Sequence, residues 1–163
     1  GLNVVDARVI TSANGFNLET YVVLEDNGAV IADISRIREI ERGLMRVLQQ
    51  GEDSPAAVTR RAPRQVRMFC TPTQVNFSVD TRNSRTILEL IAADRPGLLS
   101  EVGKVFRAER VAINGAKIMT VGERAEDVFY VTREDGGLLA EDTCRRVQDS
   151  LTQALDRRDA PKS

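Results

Sequence analysis

Histidine and tryptophan are absent from the 163 residues, aromatic side chains make up only 4%, and there are two cysteines, Cys70 and Cys144. Each shortage narrows the field. Without histidine the chain lacks the commonest general base near neutral pH and the commonest transition-metal ligand, which tells against catalysis and against a metal centre in this chain. The scarcity of stacking rings tells against a sheet-based RNA binder, because such modules present aromatics to the bases. Two cysteines so far apart in sequence read as free thiols of a reducing, cytoplasmic setting rather than as a structural bridge. A net charge of −1 gives no broad field for nucleic acid or an anionic membrane. No apolar run approaches the ~20 residues of a spanning helix, and no signal-peptide pattern opens the sequence. What is present, 42% apolar and 29% charged residues, is globular composition with room for one ordinary domain or two small ones.

The most informative local feature runs from Ile87 to Val102. An apolar, strand-like run ends at Asp94, and Pro96 suits the first turn of a helix, where its missing N–H costs nothing. Gly97 permits close approach to the backbone, and the N–H groups of Gly97, Leu98 and Leu99 give the helix start a partial positive charge that welcomes a carboxylate. The same residues also read as a plain strand, turn and helix with nothing bound.

Leu2 to Gly28 lies over Val111 to Gly137 without a gap, at an offset of 109. Ala7 matches Ala116, Thr11 matches Thr120, Tyr21 matches Tyr130, Val22 matches Val131 and Gly28 matches Gly137, while Arg8 over Lys117 and Val9 over Ile118 keep chemical type. In both copies a strand (4–11; 112–121) passes through a polar turn (12–15; 122–125) into a second apolar strand (20–24; 128–132), which is a hairpin signature. A helix follows each hairpin. Its apolar positions are Ile37, Ile40, Leu44, Val47 and Leu48 in one copy and Cys144, Val147, Leu151, Ala154 and Leu155 in the other, a single stripe in each case that is expected to lie in a core.

In the second copy the unit is preceded by a strand (86–93) and a helix (97–109) with the apolar face Leu98, Leu99, Val102, Val105 and Phe106. One strand of a β-α-β-β-α-β plan is still lacking. The alternating segment Gln74 to Asp80 is expected to pair with the Thr86 strand and to occupy that edge. Residues 49–62 read as a linker with Pro55 inside it; Arg60, Arg61, Arg64 and Arg67 read as solvated charge, and 66–70 as a short strand. The residues after Leu155 read as a polar tail. Since Gly1 is not an initiator methionine and strand character begins at once, the chain is expected to be an excised piece.

The segment Leu88 to Phe106, with Leu88-Glu-Leu-Ile-Ala-Ala-Asp-Arg-Pro-Gly-Leu-Leu at its start, followed by Val111-Ala-Ile-Asn-Gly-Ala-Lys-Ile118, resembles the ACT domain, a ferredoxin-like amino-acid sensor. Together with Asn114 to Tyr130 and Asn3 to Phe16, it is similar to the paired C-terminal ACT domains of the enzyme family that uridylylates and deuridylylates the PII nitrogen signal protein. The resemblance covers nearly the whole chain. It implies an α+β fold of antiparallel sheet with two helices on one face. Residues 1–50 would be a partial first ACT domain without its leading strand and helix, 51–65 a linker, and 66–158 a complete second ACT domain with a preceding edge strand.

The resemblance also implies a non-catalytic, cytoplasmic regulatory module that binds L-glutamine and partners PII through its parent enzyme. Mg²⁺ and UTP would serve only catalytic domains that this chain does not contain, and no cofactor would bind here. By position the ligand residues would be Asp94, Arg95, Pro96, Gly97, Leu98 and Asn114: backbone N–H groups for the α-carboxylate, Asp94 for the ammonium, Asn114 for the amide. Asp94 also reads as a turn or capping carboxylate, and Asn114 as a residue fitted to awkward strand geometry. The alternatives are an ACT pair of another amino-acid-regulated enzyme, an ACT module that only oligomerises, and a ferredoxin-like RNA binder. A half-domain without its strand and helix would leave the stripe on its helix uncovered, so a homodimer or exchange of elements between chains is expected.

Overall fold

The computed structural model describes residues 2–12, 14, 16–50 and 71–156. Its elements are β1 (Leu2–Thr11), β2 (Asn17–Glu25), α1 (Ile34–Gln50), β3 (Gln74–Asp80), β4 (Arg85–Ala93), α2 (Leu98–Ala108), β5 (Val111–Val121), β6 (Arg124–Arg133) and α3 (Glu141–Asp156). The six strands form one antiparallel sheet in the order β2-β1-β5-β6-β4-β3. This is an α+β, ferredoxin-like arrangement. Residues 49 and 50 of the expected linker end α1 instead, and the rest of that linker, the expected short strand at 66–70, Cys70 and all but the first residue of the polar tail lie outside the described residues.

Period-two alternation builds the core. Leu88, Leu90 and Ala92 of β4, Phe129 and Val131 of β6, and Ala116 and Ile118 of β5 are buried, while the residues between them are more open. Leu98, Val102, Val105 and Phe106 of α2 and Val147, Leu151 and Leu155 of α3 close over that face. The rings of Phe106 and Phe129 meet edge to face at 5.2 Å and 88°. Thr86, a buried hydroxyl, is satisfied by the N–H of Leu139 at 3.1 Å. Cys144 is half-buried against the core as a free thiol. β3 pairs with β4 from Gln74 opposite Ile91 to Asp80 opposite Arg85, so Val75, Phe77 and Val79 do lie on the edge that the sequence assigned to them.

The repeat is a structural fact, with one correction. Both first strands carry a register shift at the same place, between Val4 and Asp6 and between Ile113 and Gly115, which agrees with the offset of 109. In the hairpins the offset slips to 108. Ala7 faces Tyr21 whereas Ala116 faces Phe129, so Tyr21 corresponds to Phe129 and not to Tyr130. The turns after β2 and β6 follow the slipped register too: Asn27 Oδ1 accepts the Ala29 N–H, Asp135 Oδ1 accepts the Gly137 N–H, and the left-handed glycines are Gly28 and Gly136. The physical cause is the connection. The second hairpin closes over Gly122 and Glu123, while the first has one more residue between equivalent pairs. Alignment by identity alone runs past that insertion.

The two halves join through β1 and β5, where Asp6 faces Met119, Ala7 faces Ile118, Arg8 faces Lys117, Val9 faces Ala116 and Ile10 faces Gly115. Arg8 therefore faces its own repeat counterpart. A local two-fold axis passes between them.

The stripe on α1 departs from the expectation of core and agrees with the expectation that it would be left uncovered. Leu44 is 58% exposed and Leu48 67%, whereas their counterparts Leu151 and Leu155 are 0% and 2% exposed. Asp33 begins α1 by accepting the N–H and hydroxyl of Ser35 at 2.9 and 2.7 Å, and Arg36 ties the helix to the end of β2 through Glu25 at 2.8 Å. Among the described residues no helix packs beside α1 as α2 packs beside α3.

Candidate functional site

The turn after β4 is held from several sides. The Asp94 N–H donates to the Glu123 carbonyl in the β5–β6 turn at 2.9 Å, and Arg95 Nη2 reaches the Leu155 carbonyl at the end of α3 at 2.7 Å. Gly97 is the N-cap of α2, in the left-handed region at φ 86°, with no side chain capping the helix. Pro96 consequently precedes the helix instead of occupying its first turn. The Leu98 N–H already donates to the Arg95 carbonyl at 3.2 Å, so it is not a free donor for a ligand. The donors that the helix start leaves without intrahelical partners, Leu98 apart, are here those of Gly97, Leu99 and Ser100. Asp94 is no helix cap. Its carboxyl instead accepts bonds from the Thr120 hydroxyl and the Arg95 N–H, and burial, the larger influence, raises its pKa.

A second carboxyl at this end was not singled out from sequence. Asp127 of β6 is 1% exposed and takes a core position between Ala125 and Phe129. The β5–β6 ladder is interrupted between Lys117 opposite Val128 and Thr120 opposite Ala125, and in that gap Asp127 Oδ1 accepts the Met119 N–H at 3.2 Å. Its other oxygen is buried without a hydrogen-bond partner. The available signal was an acid at a buried step of an apolar alternation. Burial pushes this carboxyl up to about 6, the Met119 N–H opposes the rise, and the nearby Asp94 adds to it.

The sign of the resulting pH effect follows. A carboxyl whose folded pKa exceeds its unfolded value binds its proton more tightly when folded, so its stabilising contribution is full below the model-peptide value and disappears as pH climbs through about 6. Relative to Asp127→Asn, the native chain is expected to lose about 2–3 kcal/mol of stability between roughly pH 3.5 and 7. Urea unfolding of both proteins across that range checks this, and a pH-independent difference contradicts it.

Asn114 lies elsewhere. It sits in the register shift of β5, the awkward strand geometry that suits asparagine, six residues from Thr120, hence about 20 Å along the strand from the Asp94 turn. Within one chain the two do not share a small ligand. Asn114 instead lines a cleft of about 270 Å³ with Gly115, Lys117, Arg8, Arg85 and Tyr130.

No known family profile matches the chain. No solved structure matches it either. Curated relatives do: the bifunctional uridylyltransferase/uridylyl-removing enzymes of Pseudomonas entomophila, Pseudomonas fluorescens and Stutzerimonas stutzeri are each 44% identical over 156 residues, 94% of this chain. The chain is homologous to the C-terminal part of these enzymes. It spans 17% of their length. No helix among the described residues is long and apolar enough to cross a membrane.

Proposed function

We propose that this chain is the regulatory, glutamine-sensing part of a uridylyltransferase/uridylyl-removing enzyme whose target is the PII signal protein, and that it makes no bonds itself. The observation that carries the reading is the 44% identity across nearly the whole chain to a minor, C-terminal share of enzymes with that name, on a ferredoxin-like fold whose strand-strand-helix half is repeated. Catalysis by the rest of such an enzyme would use Mg²⁺ and UTP. Among the described residues no three carboxylates or thiols cluster as metal ligands.

The glutamine seat in this reading is the Asp94 turn. The ligand α-carboxylate meets the Leu99 and Ser100 N–H groups at the positive end of α2, and its ammonium meets Asp94, whose partly buried carboxyl gains a cation in exchange for lost hydration. Regulation follows by linkage. Glutamine favours one arrangement of the two repeats by its differential affinity, typically ~1–3 kcal/mol, and the catalytic parts respond to that bias in the cytoplasm. The uncovered stripe on α1 supports assembly as well, with a second copy or an exchanged element lying over Leu44 and Leu48.

Thermal unfolding with a panel of amino acids tests the sensor. At ~100-fold saturation glutamine is expected to add ~2.7 kcal/mol. Asp94→Ala and Gly97→Ala should each abolish most of that shift, the first by removing the ammonium partner and the second by straining the left-handed N-cap. A glutamine shift untouched by either substitution overturns the assignment to this turn.

A further inference from the structure

We propose that the cleft on the helix-free face of the sheet binds a tetrahedral oxyanion that still carries an O–H, phosphate or a phosphate ester bearing a hydroxyl, held between Arg8 and Lys117 with Asn114 Oδ1 accepting a hydrogen bond from that O–H. This goes beyond the glutamine reading and does not rest on it. Arg8 and Lys117 are exposed while their strand neighbours Ala7, Ala116 and Ile118 are buried toward the helices, which sets both cations on the open face. They are direct cross-strand partners at the local two-fold axis. Side chains so paired start about 5 Å apart, and like charges there repel. Arg8 has only a loose contact with Asp6 at 3.9 Å, and Lys117 has no acidic partner among the described residues.

The surroundings make the cations selective. Arg85 lies over the Tyr130 ring at 4.0 Å and is neutralised by Asp80 at 2.9 Å, so it walls the cleft and leaves Arg8 and Lys117 to provide the unbalanced charge. Asn114 Oδ1 is buried with no hydrogen-bond partner. An unpaired buried acceptor calls for a donor, and a fully deprotonated anion such as sulfate has none to give. Monohydrogen phosphate brings two negative charges for the cations and one O–H for Asn114. A cleft of about 270 Å³ admits an ion of that size.

The test is a titration of the 163-residue chain at pH 7 and fixed ionic strength, followed through its backbone amide NMR signals, with inorganic phosphate, glycerol phosphate and sulfate as probes. Phosphate is expected to shift the amides of 8–10 and 114–117 saturably and to bind at least about ten-fold more tightly than sulfate, the discrimination expected of one unpaired acceptor. Arg8→Gln and Lys117→Gln, both exposed changes, should each weaken phosphate at least five-fold (about 1 kcal/mol) with unchanged melting. Asn114→Val installs the residue that the first repeat carries at the equivalent Val5, and should erase the preference over sulfate. Glycerol phosphate binding as tightly as phosphate identifies the ester as the natural source, and weaker ester binding identifies the free ion. Equal affinity for sulfate and phosphate, shifts centred on 94–99, or no saturable shift overturns the proposal. A glutamine titration run alongside reports on the Asp94 turn separately, so either reading fails without the other.

Discussion

Leu151→Ala is expected to cost about 2–5 kcal/mol, and Leu44→Ala, the same change at the repeat-equivalent position, less than about 0.5 kcal/mol in dilute solution. The expected lack of a strand and helix in the first copy foreshadows the difference, but the residue pattern alone does not separate the two, because both leucines stand seven residues into the same stripe, after Ile37 and Cys144. Their surroundings do. Leu151 is fully buried beneath α2 and the sheet, so truncation removes transfer energy and leaves a cavity lined by side chains that cannot collapse into it. Leu44 is more than half exposed and has little left to lose. Chemical denaturation of both variants measures the pair. If copies associate through α1, the cost of Leu44→Ala grows with protein concentration while that of Leu151→Ala does not; equal costs in dilute solution contradict the exposed placement of α1.

Gly115→Ala is expected to loosen the joint between the two repeats. A Cβ at Gly115 would lie 2.9 Å from the Val9 carbonyl oxygen and 3.3 Å from the Tyr130 ring. The first of these is backbone of the neighbouring strand and cannot swing aside as a flexible side chain does. The strands must separate at the place where Ile10 faces Gly115, and β1 is the main contact of the first hairpin with the rest of the sheet. Overpacking of this kind costs about 1–3 kcal/mol. Hydrogen exchange should show its loss concentrated on β1, β2 and the β1-facing amides of β5, while α2, α3 and β4 keep their protection. Uniform loss across all elements, or none, contradicts the joint as drawn.

Much of the fold was legible because hydrophobic period is a local property. The alternations in β4 and β6 and the stripe on α3 mark their buried faces directly, and Gln74 to Asp80 could be assigned to the edge because the short turn Thr81 to Ser84 leads back to the Thr86 strand, whose outer side lacked the last strand of the plan. The Asp94 turn was legible as a ligand-friendly helix start, with Gly97 and Leu99 among its donors, but the loss of the Leu98 donor was not. Whether Leu98 donates to Arg95 depends on turn geometry set by a left-handed Gly97 and by the pull of Arg95 on the end of α3. Asp127 escaped notice because the apolar alternation marks its step as buried but does not show that the ladder opens there to give an acid a donor, and Asn114 was placed with the turn because proximity along the sheet is a matter of register.

The sequence by itself determined the repeat, the elements, the α+β class and the lack of histidine chemistry, since each of these resides in residue type and spacing. Tertiary structure alone decided how far the α1 stripe is left open, that Asn114 stands about 20 Å from Asp94, and that Arg8 faces Lys117 across a local two-fold axis. Those facts depend on strand register and on which surfaces meet. Register in a sheet is settled by many weak side-chain and backbone contacts between distant segments, and no local pattern carries their sum.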